Sequence, residues 1–495
     1  MSTLTSYEQL TSAFDRIYRF EHLQAITSWD HATNMPPKGN DARAAAMGEL
    51  AAHLHRLRTS PELARWLAGA NTESLDDIAR ANLREMQRVY RHATAVPDEL
   101  VHEMTMAGAR CEHAWRSQRP ANDWAGFAPN LKEVVRLTRK LAALLSDKLG
   151  LSKYDALMDR FEPGMRSAEV DRVFGAVKTW LPDLIKRVRE KQAKETVIAA
   201  KGPFPIAAQK ALCERVMKLL EFDFEGGRLD VSTHPFSGGV PEDVRLTTRY
   251  SEDDFEKSLM GTIHETGHGR YEQNRPRALL GQPVSEARSM AIHESQSLSF
   301  EMQLGRSRAF LQLLAPLLRE YLGAQPAFDT ENLVKLYTRV NPSFIRVDAD
   351  ECTYPAHVIL RYEIERPLVE GEIEVDDIPK LWDDKMMSLL GVDTRGNFKN
   401  GPMQDIHWTD GAFGYFPCYT LGAMYAAQWF ATMRKTRDID AEVARGELTG
   451  VFDWLRTNIW DNASRYETDE LCRRASGGPL DPQHFKTHLE TRYLT

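Results

Sequence analysis

The sequence predicts a mainly α-helical fold with one small antiparallel β-sheet. Apolar residues recur at intervals of three and four along most of the 495 residues, which is the periodicity of amphipathic helices. Strand character is clear in one place, where the β-rich runs 229–236 and 244–250 are joined by the turn-rich link Ser-Gly-Gly-Val-Pro-Glu-Asp. These two runs predict a hairpin that leads directly into the next helix.

The predicted helices are amphipathic segments separated by short proline or glycine punctuation. Before the hairpin they cover residues 5–28, 40–70, 74–92, 97–117, 122–149, 167–195 and 206–222. After it, helices resume over residues 285–305, 306–324, 329–340, 354–370, 376–390 and 419–435. Internal repeats and low-complexity linkers are missing from the sequence, so we expect one mostly helical unit over residues 1–495.

The composition excludes several classes of protein. A charged fraction of 27% and a hydrophobic fraction of 42% are ordinary for a soluble globular protein. The net charge of −8 is spread without a long like-charge run, which argues against nucleic acid or an anionic membrane as the main partner. The five cysteines contain no CxxC pair, and the N-terminus lacks the pattern of a signal peptide. We therefore expect a cytoplasmic protein without transmembrane segments.

The pentad His264-Glu265-Thr266-Gly267-His268 is the most informative motif. Histidines four apart on a helix lie on one face, where two imidazole nitrogens can hold one Zn²⁺. Glu265 is rotated by about 100° from His264, so it can reach a water at the metal without being a ligand.

The residues around the pentad predict a helix. Ser251 is a suitable N-cap, and three acidic residues follow it. Apolar or small residues then recur every four positions and predict a core-facing stripe. Gly267 belongs to this stripe, and its missing side chain would let another segment approach closely. The stripe consists of Phe255, Leu259, Ile263, Gly267 and Tyr271.

A hydrolytic zinc site needs a third protein ligand. Position 274 is Asn, which excludes the class with a third histidine six residues after His268. The next predicted helix offers Glu286, Glu294 and Glu301 instead. Glu294 and Glu301 are seven residues apart and share a face, and spacing alone leaves the choice between them open.

Six motifs together resemble one enzyme family. His293-Glu294-Ser295-Gln296 resembles the third-ligand motif of the carboxypeptidase Taq family of zinc metallocarboxypeptidases. The family's other motifs occur in the same order over residues 234–408. They are His234-Pro235-Phe236, Asp243-x-Arg245-x-Thr247, His264-Glu265-x-x-His268, Ile345-Arg346-x-x-Ala349-Asp350 and Gly401-x-x-Gln404-Asp405-x-His407-Trp408.

The resemblance implies a metal site and an architecture. Glu294 would be the third ligand beside His264 and His268, and Glu265 the general base. The cofactor would be Zn²⁺, although a His₂Glu set also accepts Co²⁺ and Mn²⁺. Relatives resemble two-lobed helical homodimers with the metal deep in a groove. A single peptidase unit would then comprise a mostly helical roof (1–225), the zinc and substrate region (226–425) and C-terminal helices (426–495).

The implied activity is removal of C-terminal amino acids from peptides that have a free C-terminus. An oligopeptidase or peptidyl-dipeptidase on the same scaffold is one alternative, and a non-enzymatic zinc-binding scaffold is another. The oxyanion of the reaction needs a donor besides the metal. Candidates are His407, which lies in a family motif, and Tyr415 and Tyr419, which could equally be packed core aromatics.

A carboxypeptidase must also recognise a free carboxylate, for which the planar fork of arginine is suited. Arg346 is favoured because it occupies a family motif, although it could instead form an ion pair with Asp348 or Asp350. Arg245 and His234 are expected as supporting substrate-binding residues. Both have structural alternatives, since Arg245 could pair with Asp243 and His234 precedes a proline.

Overall fold

The structure is a computed structural model that describes residues 4–232 and 235–495. Helices account for most of it, as the sequence predicts. Those before the sheet are α1 (Ser6–Thr33), α2 (Asn40–Arg58), α3 (Pro61–Ala70), α4 (Asp77–Thr94), α5 (Asp98–Gln118), α6 (Trp124–Leu149), α7 (Lys153–Met158), α8 (Ser167–Lys178), α9 (Leu181–Gln192) and α10 (Ile206–Leu219).

The helices after the sheet continue to the C-terminus. They are α11 (Glu256–Gln273), α12 (Met290–Leu298), α13 (Arg308–Leu322), α14 (Thr330–Tyr337), α15 (Tyr354–Glu370), α16 (Ile378–Leu390), α17 (Pro417–Met433), α18 (Ile439–Ala444), α19 (Thr449–Asn458), α20 (Thr468–Ser476) and α21 (Pro482–Leu494). In the part of the chain that the structure describes, no helix is both long and apolar enough to cross a membrane.

Two long predicted helices are each divided in the structure. The segment predicted over 40–70 breaks before Pro61, because Ser60 caps a new helix by accepting a hydrogen bond from the Leu63 amide. The segment predicted over 167–195 breaks between α8 and α9, where Pro182 stands in the first turn of α9. Proline therefore restarts a helix at both sites.

The small sheet is mixed, so the predicted antiparallel hairpin is wrong. Its strands are β1 (Gly227–Val231), β2 (Ser237–Val240) and β3 (Asp243–Thr248), in the order β1-β3-β2. β1 runs parallel to β3, and β2 runs antiparallel to β3. The link that was expected to be a turn supplies β2. Gly239 makes this possible with φ of +86°, where a Cβ would lie 2.1 Å from the Asp243 carbonyl oxygen.

The Cα positions group the chain into two compact units. The first comprises Met1–Ala93, Thr196–Tyr337 and Tyr425–Leu480, and the second comprises Thr94–Glu195, Thr338–Met424 and Asp481–Thr495. Each unit is assembled from stretches that are far apart in the sequence. The three consecutive regions of a single peptidase unit remain a prediction.

In the first unit, the N-terminal helices have an apolar core of their own. Leu10, Phe14 and Ile17 of α1 pack with leucines of α2 and α3 and with Met86 of α4. The sheet lies between α1 and α11 in this unit, because β2 contacts both helices. The second unit contains α15 and the segment from Gly401 to Tyr419.

Candidate metal centre and active-site residues

The helix that carries the pentad begins later than the sequence predicts. Ser251 is not its N-cap, because α11 starts at Glu256. The Asp254 carboxylate accepts hydrogen bonds from the backbone amides of Glu256 and Lys257 at 2.9 and 3.2 Å. A carboxylate next to the first amides of a helix satisfies donors that have no partner within the helix. Asp254 thus takes the role predicted for Ser251.

Gly267 lets α11 and α12 approach closely, as its position in the apolar stripe predicts. A Cβ at Gly267 would lie 2.5 Å from the Gln296 carbonyl oxygen and 2.6 Å from Ser297 Cα. The other members of the stripe, from Phe255 to Tyr271, are buried. This contact brings the carboxylate of α12 to the two histidines of α11.

His264, His268 and Glu294 meet at one point. Their ligand atoms lie within 4.8 Å of one another. Glu294 Oε1 is 3.9 Å from His264 Nε2, and Glu294 Oε2 is 3.5 Å from His268 Nε2. Two imidazole nitrogens and a carboxylate oxygen are the donor set of many hydrolytic metal sites, so these residues fit a divalent cation.

Glu301 lies on the outer side of the His264 ring. It belongs to a π-helical turn, Ser299–Gly305, that continues α12. Its Oε2 is 3.0 Å from His264 Nδ1, and its Oε1 accepts a hydrogen bond from Arg306 at 2.8 Å. The carboxylate therefore engages the imidazole nitrogen that faces away from Glu294 and leaves Nε2 available. Of the two carboxylates that spacing could not separate, the geometry favours Glu294 as the ligand.

The electrostatics of the cluster also suit a cation. Burial opposes a charge on His264, yet the Glu294 and Glu301 carboxylates raise its pKa to about 10. Burial lowers the pKa of His268 to about 4. Burial raises the pKa of Glu265 to about 7; His264 opposes this shift and Glu294 adds to it. A divalent ion would offset the negative charge that these buried carboxylates concentrate.

Glu265 connects α11 to the sheet. Its side chain is buried and hydrogen-bonded to the side chain of Ser237, the first residue of β2. β2 lies at one edge of the sheet order and β1 at the other, and an extended peptide can add to an exposed edge strand. Glu265 follows the donor residue His264 in sequence and contacts the edge strand β2 through Ser237.

In the second unit, Arg346 forms a buried ion pair with a partner that the sequence analysis missed. Its Nε and Nη2 donate to Asp405 Oδ1 at 3.0 and 2.8 Å, and its Nη1 donates to the Tyr354 hydroxyl at 2.8 Å. The partner is therefore neither Asp348 nor Asp350. Asp350 instead accepts hydrogen bonds from nearby backbone amides.

Asp405 also binds a second arginine. Arg361, which is fully buried, donates from Nε to Asp405 Oδ2 at 2.7 Å. Burial alone would raise the pKa of Asp405, but Arg346 and Arg361 hold it well below its usual range. Two guanidinium groups thus share one carboxylate. Asp405 belongs to the family motif that also contains His407. The motif indicated that Asp405 has a role, but sequence spacing did not show that it pairs with Arg346 and Arg361.

The structure brings the three predicted oxyanion candidates together. His407 Nε2 lies 3.1 Å from the Tyr419 hydroxyl, and the ring centroids of His407 and Tyr415 are 5.7 Å apart. Burial lowers the pKa of His407 to about 4, and Arg346 acts in the same direction. Arg346 also lies over the Tyr419 ring at 5.0 Å. His407, Tyr415, Tyr419 and Arg346 therefore form one cluster.

A buried glutamate that the sequence analysis missed supports this cluster. Glu365 of α15 accepts hydrogen bonds from Trp408 Nε1 at 2.7 Å, the Tyr154 hydroxyl at 3.0 Å and the Gly414 amide at 3.2 Å. Burial raises its pKa to about 7 against these three hydrogen bonds. Trp408 directly follows His407 and Gly414 directly precedes Tyr415, so Glu365 holds the segment that joins these two members of the cluster.

Arg245 and His234 are the two residues predicted to support substrate binding. Arg245 donates to both carboxylate oxygens of Asp243, which is the structural alternative for this residue. It also stacks over the buried Trp29 ring at 4.7 Å and so ties the sheet to α1. His234 lies outside the described residues.

This fold and donor set define a class of protein: mainly helical metallopeptidases with a His-Glu-x-x-His helix and a carboxylate on the following helix. The chain belongs to the carboxypeptidase Taq (M32) metallopeptidase family, whose model matches residues 9–493. It is a metallocarboxypeptidase, a peptide hydrolase, and the family implies a divalent metal.

Named relatives match along their whole length. The chain is 36% identical to thermostable carboxypeptidase 1 of Thermus thermophilus, over 100% of this chain and 99% of the relative. It is 34% identical to carboxypeptidase 1 of Bacillus subtilis, over 97% of each. The structure of Trypanosoma cruzi metallocarboxypeptidase 1 superposes with a TM-score of 0.97 at 46% identity and 99% coverage of both chains.

Proposed function

We propose that this metallocarboxypeptidase holds Zn²⁺ through His264, His268 and Glu294 and releases C-terminal amino acids from peptides one at a time. The convergence of two imidazole nitrogens and one carboxylate within 4.8 Å carries the proposal. When bound there, Zn²⁺ would polarise the scissile carbonyl and lower the pKa of a water toward about 7. Co²⁺ and Mn²⁺ suit the same donor set.

Glu265 acts as the general base in this proposal. Its carboxylate accepts a proton from the attacking water and then delivers that proton to the nitrogen of the leaving amine. Its position supports the role, because it follows His264 directly while standing outside the three-donor set. The hydrogen bond from Ser237 orients the carboxylate beside β2.

In this proposal, Arg346 binds the free C-terminal carboxylate of the substrate. The hydrogen bonds among the described residues use three of the five N–H donors of its guanidinium. Asp405 is shared with Arg361, so two positive groups face one negative group. A substrate carboxylate would supply the second negative charge, which favours binding of a free C-terminus in a buried setting. Asp405 and Arg361 then position Arg346.

His407 is the proposed donor to the oxyanion, with Tyr419 and Tyr415 as the other candidates. The contact between His407 Nε2 and the Tyr419 hydroxyl supports a joint role. When His407 Nε2 accepts a hydrogen bond from the Tyr419 hydroxyl, the neutral ring carries its proton on Nδ1. This atom has no hydrogen-bond partner among the described residues, so its N–H can be directed at the oxyanion. Replacing Tyr419 would then weaken catalysis by releasing the His407 ring.

Cleavage of paired peptides tests the exopeptidase assignment. A peptide that ends in a free acid and the same peptide ending in an amide are incubated with the enzyme, and products are identified by mass spectrometry. Release of single residues from the acid alone is expected. Equal cleavage of both peptides would favour the oligopeptidase alternative instead.

Arg346→Lys separates chain-end recognition from catalysis. Lysine keeps the charge but loses the fork that binds a carboxylate bidentately. The free-acid peptide should lose at least about tenfold in kcat/KM, the value of one hydrogen bond to a charged group. If the kcat/KM of the variant for the free-acid peptide equals that of the native enzyme, Arg346 does not recognise the free C-terminus.

The proposal also includes a homodimer that acts on peptides in the cytoplasm. We propose no nucleic acid or membrane partner for it. The dimer rests on the family resemblance. Light scattering coupled to size-exclusion chromatography should give twice the chain mass of 56.3 kDa, and a mass of one chain would contradict it.

A further inference from the structure

His268, one of the two proposed imidazole ligands, is backed by another histidine. Its Nδ1 lies 2.6 Å from Nδ1 of His293, the residue that precedes Glu294. On the other edge of the His293 ring, Nε2 lies 2.9 Å from Glu272 Oε1. Glu272 in turn accepts a hydrogen bond from Arg275 at 2.7 Å. These side chains form a continuous chain that leads away from the donor set.

The other imidazole ligand has a partner of a different kind. His264 Nδ1 faces the Glu301 carboxylate at 3.0 Å, which is a common arrangement behind a metal-bound histidine. His268 meets an imidazole instead of a carboxylate. The two ligands of α11 are therefore held by different chemistry, although they lie one helical turn apart.

The proton positions in this series of hydrogen bonds follow from the groups at its two ends, Glu272 and His268. An ionised Glu272 offers acceptor atoms alone, so His293 Nε2 carries the proton of that contact. In the arrangement that leaves His268 Nε2 free to hold a metal, His293 is a neutral ring whose Nδ1 accepts, because one ring nitrogen donates and the other accepts. The proton between the two Nδ1 atoms consequently belongs to His268. His268 Nε2 is left with its lone pair, 3.5 Å from Glu294 Oε2.

We propose that His293 is a positioning residue for the metal site, which accepts a hydrogen bond from His268 Nδ1 and so fixes the tautomer and ring orientation in which His268 Nε2 is the ligand. This inference rests on the proposed metal role of His264, His268 and Glu294. The exposed fractions of the His268 and His293 side chains are 12% and 14%. Water therefore replaces this hydrogen bond poorly, and Glu272 with Arg275 keeps the His293 ring in place.

Two amide substitutions distinguish the contact of His293 Nδ1 with His268 from the contact of Nε2 with Glu272. Asparagine places its Oδ1 near the position of Nδ1, so His293→Asn can still accept from His268 while it loses Glu272. Glutamine places its amide nitrogen near the position of Nε2, so His293→Gln keeps a donor to Glu272 but loses His268. The affinity for Zn²⁺ alone is measured at fixed pH by competition with a chromogenic chelator. The visible spectrum of the Co²⁺-loaded protein reports the ligand geometry.

His293→Gln should bind Zn²⁺ about 10- to 100-fold more weakly, as is typical for loss of an outer partner of a ligand. His293→Asn should bind more tightly than His293→Gln and keep a Co²⁺ spectrum close to that of the native protein. A purely structural role would give the reverse order, since glutamine preserves the contact with Glu272. Equal Zn²⁺ affinity of both variants and the native protein would overturn the proposal.

Two further variants complete the test. If His293→Gln does not fold, His293→Ala replaces it, and asparagine must then restore affinity relative to alanine; no restoration would overturn the proposal. His268→Ala is the reference for the metal site. If His268→Ala binds Zn²⁺ as tightly as the native protein, the metal site itself is wrong. If His268→Ala loses Zn²⁺ and His293→Gln does not, the role of His293 alone is wrong.

Discussion

Gly267 of α11 lies against the backbone of Gln296 in α12, where a Cβ would come within 2.5 Å of the Gln296 carbonyl oxygen. The close approach determines how far Glu294 stands from the histidines of α11. Backbone atoms cannot move aside as the end of a flexible side chain can. The separation of the two proposed ligand helices is thus sensitive to one missing side chain.

Gly267→Ala should therefore weaken both the fold and the metal site. Alanine is the better helix former by about 1 kcal/mol. The forced separation of the helices should outweigh this gain and cost about 1–3 kcal/mol in the free energy of unfolding. Chemical denaturation and Zn²⁺ affinity measure the two effects. Gly261→Ala on the same helix is the control, because a Cβ there meets nothing within 4 Å. Native-like Zn²⁺ binding by Gly267→Ala would contradict this reading of the contact.

Glu265→Gln tests the general base separately from the metal. The amide keeps the size of the side chain but cannot take a proton from the attacking water. Turnover should fall by at least about 100-fold, the usual contribution of a positioned base. Metal content should stay native, because Glu265 stands outside the donor set. Near-native turnover with a full metal load would remove Glu265 from its proposed role.

Glu294→Ala and Glu301→Ala should differ in their effect on metal binding. Removing Glu294 deletes a proposed ligand, so the purified protein should lose its metal. Removing Glu301 deletes the partner of His264 Nδ1, so Zn²⁺ affinity should fall by about 10- to 100-fold while saturation remains possible. Metal analysis and chelator competition distinguish the two cases. The reverse order would make Glu301 the ligand.

Glu351 should give the second unit a pH-dependent stability. This buried carboxylate accepts hydrogen bonds from His488 at 2.7 Å, the Tyr493 hydroxyl at 2.9 Å and Arg492 at 3.0 Å. Burial alone would raise its pKa, but Arg492 and His488 hold it well below the usual range. A lowered pKa in the folded state contributes stability that is present above about pH 4.3, the ordinary pKa of glutamate, and is lost as the pH falls toward the folded value.

The melting temperature between pH 7 and pH 3 measures this contribution. Glu351→Gln should lower the melting temperature at pH 7, since it leaves Arg492 beside a neutral group at a cost of about 3–5 kcal/mol. Its loss of stability between pH 5 and pH 3 should be smaller than in the native protein. Parallel pH profiles for the two proteins would show that the contacts of Glu351 do not stabilise the fold.

Local features of the sequence were enough for most helices and for part of the site. Helix α15 spans residues 354–370 as predicted, because Pro355 in its first turn and Gly371 after its last residue mark its two ends. The β-rich composition of two runs also marked parts of β1 and β3. It could not show that the Gly-rich link forms β2 or that β1 runs parallel to β3, because strand pairing depends on residues that are distant in sequence.

The chain by itself determined the helix that carries His264, Glu265 and His268, since the four-residue spacing of the two histidines fits one face of a helix. It also limited the third donor to a carboxylate of the next helix. Tertiary structure alone decided which carboxylate faces the histidines, because the contact at Gly267 and the π-helical turn at Glu301 set the register of two packed helices. The same applies to the partners His293 and Asp405, whose roles depend on distances that no sequence spacing encodes.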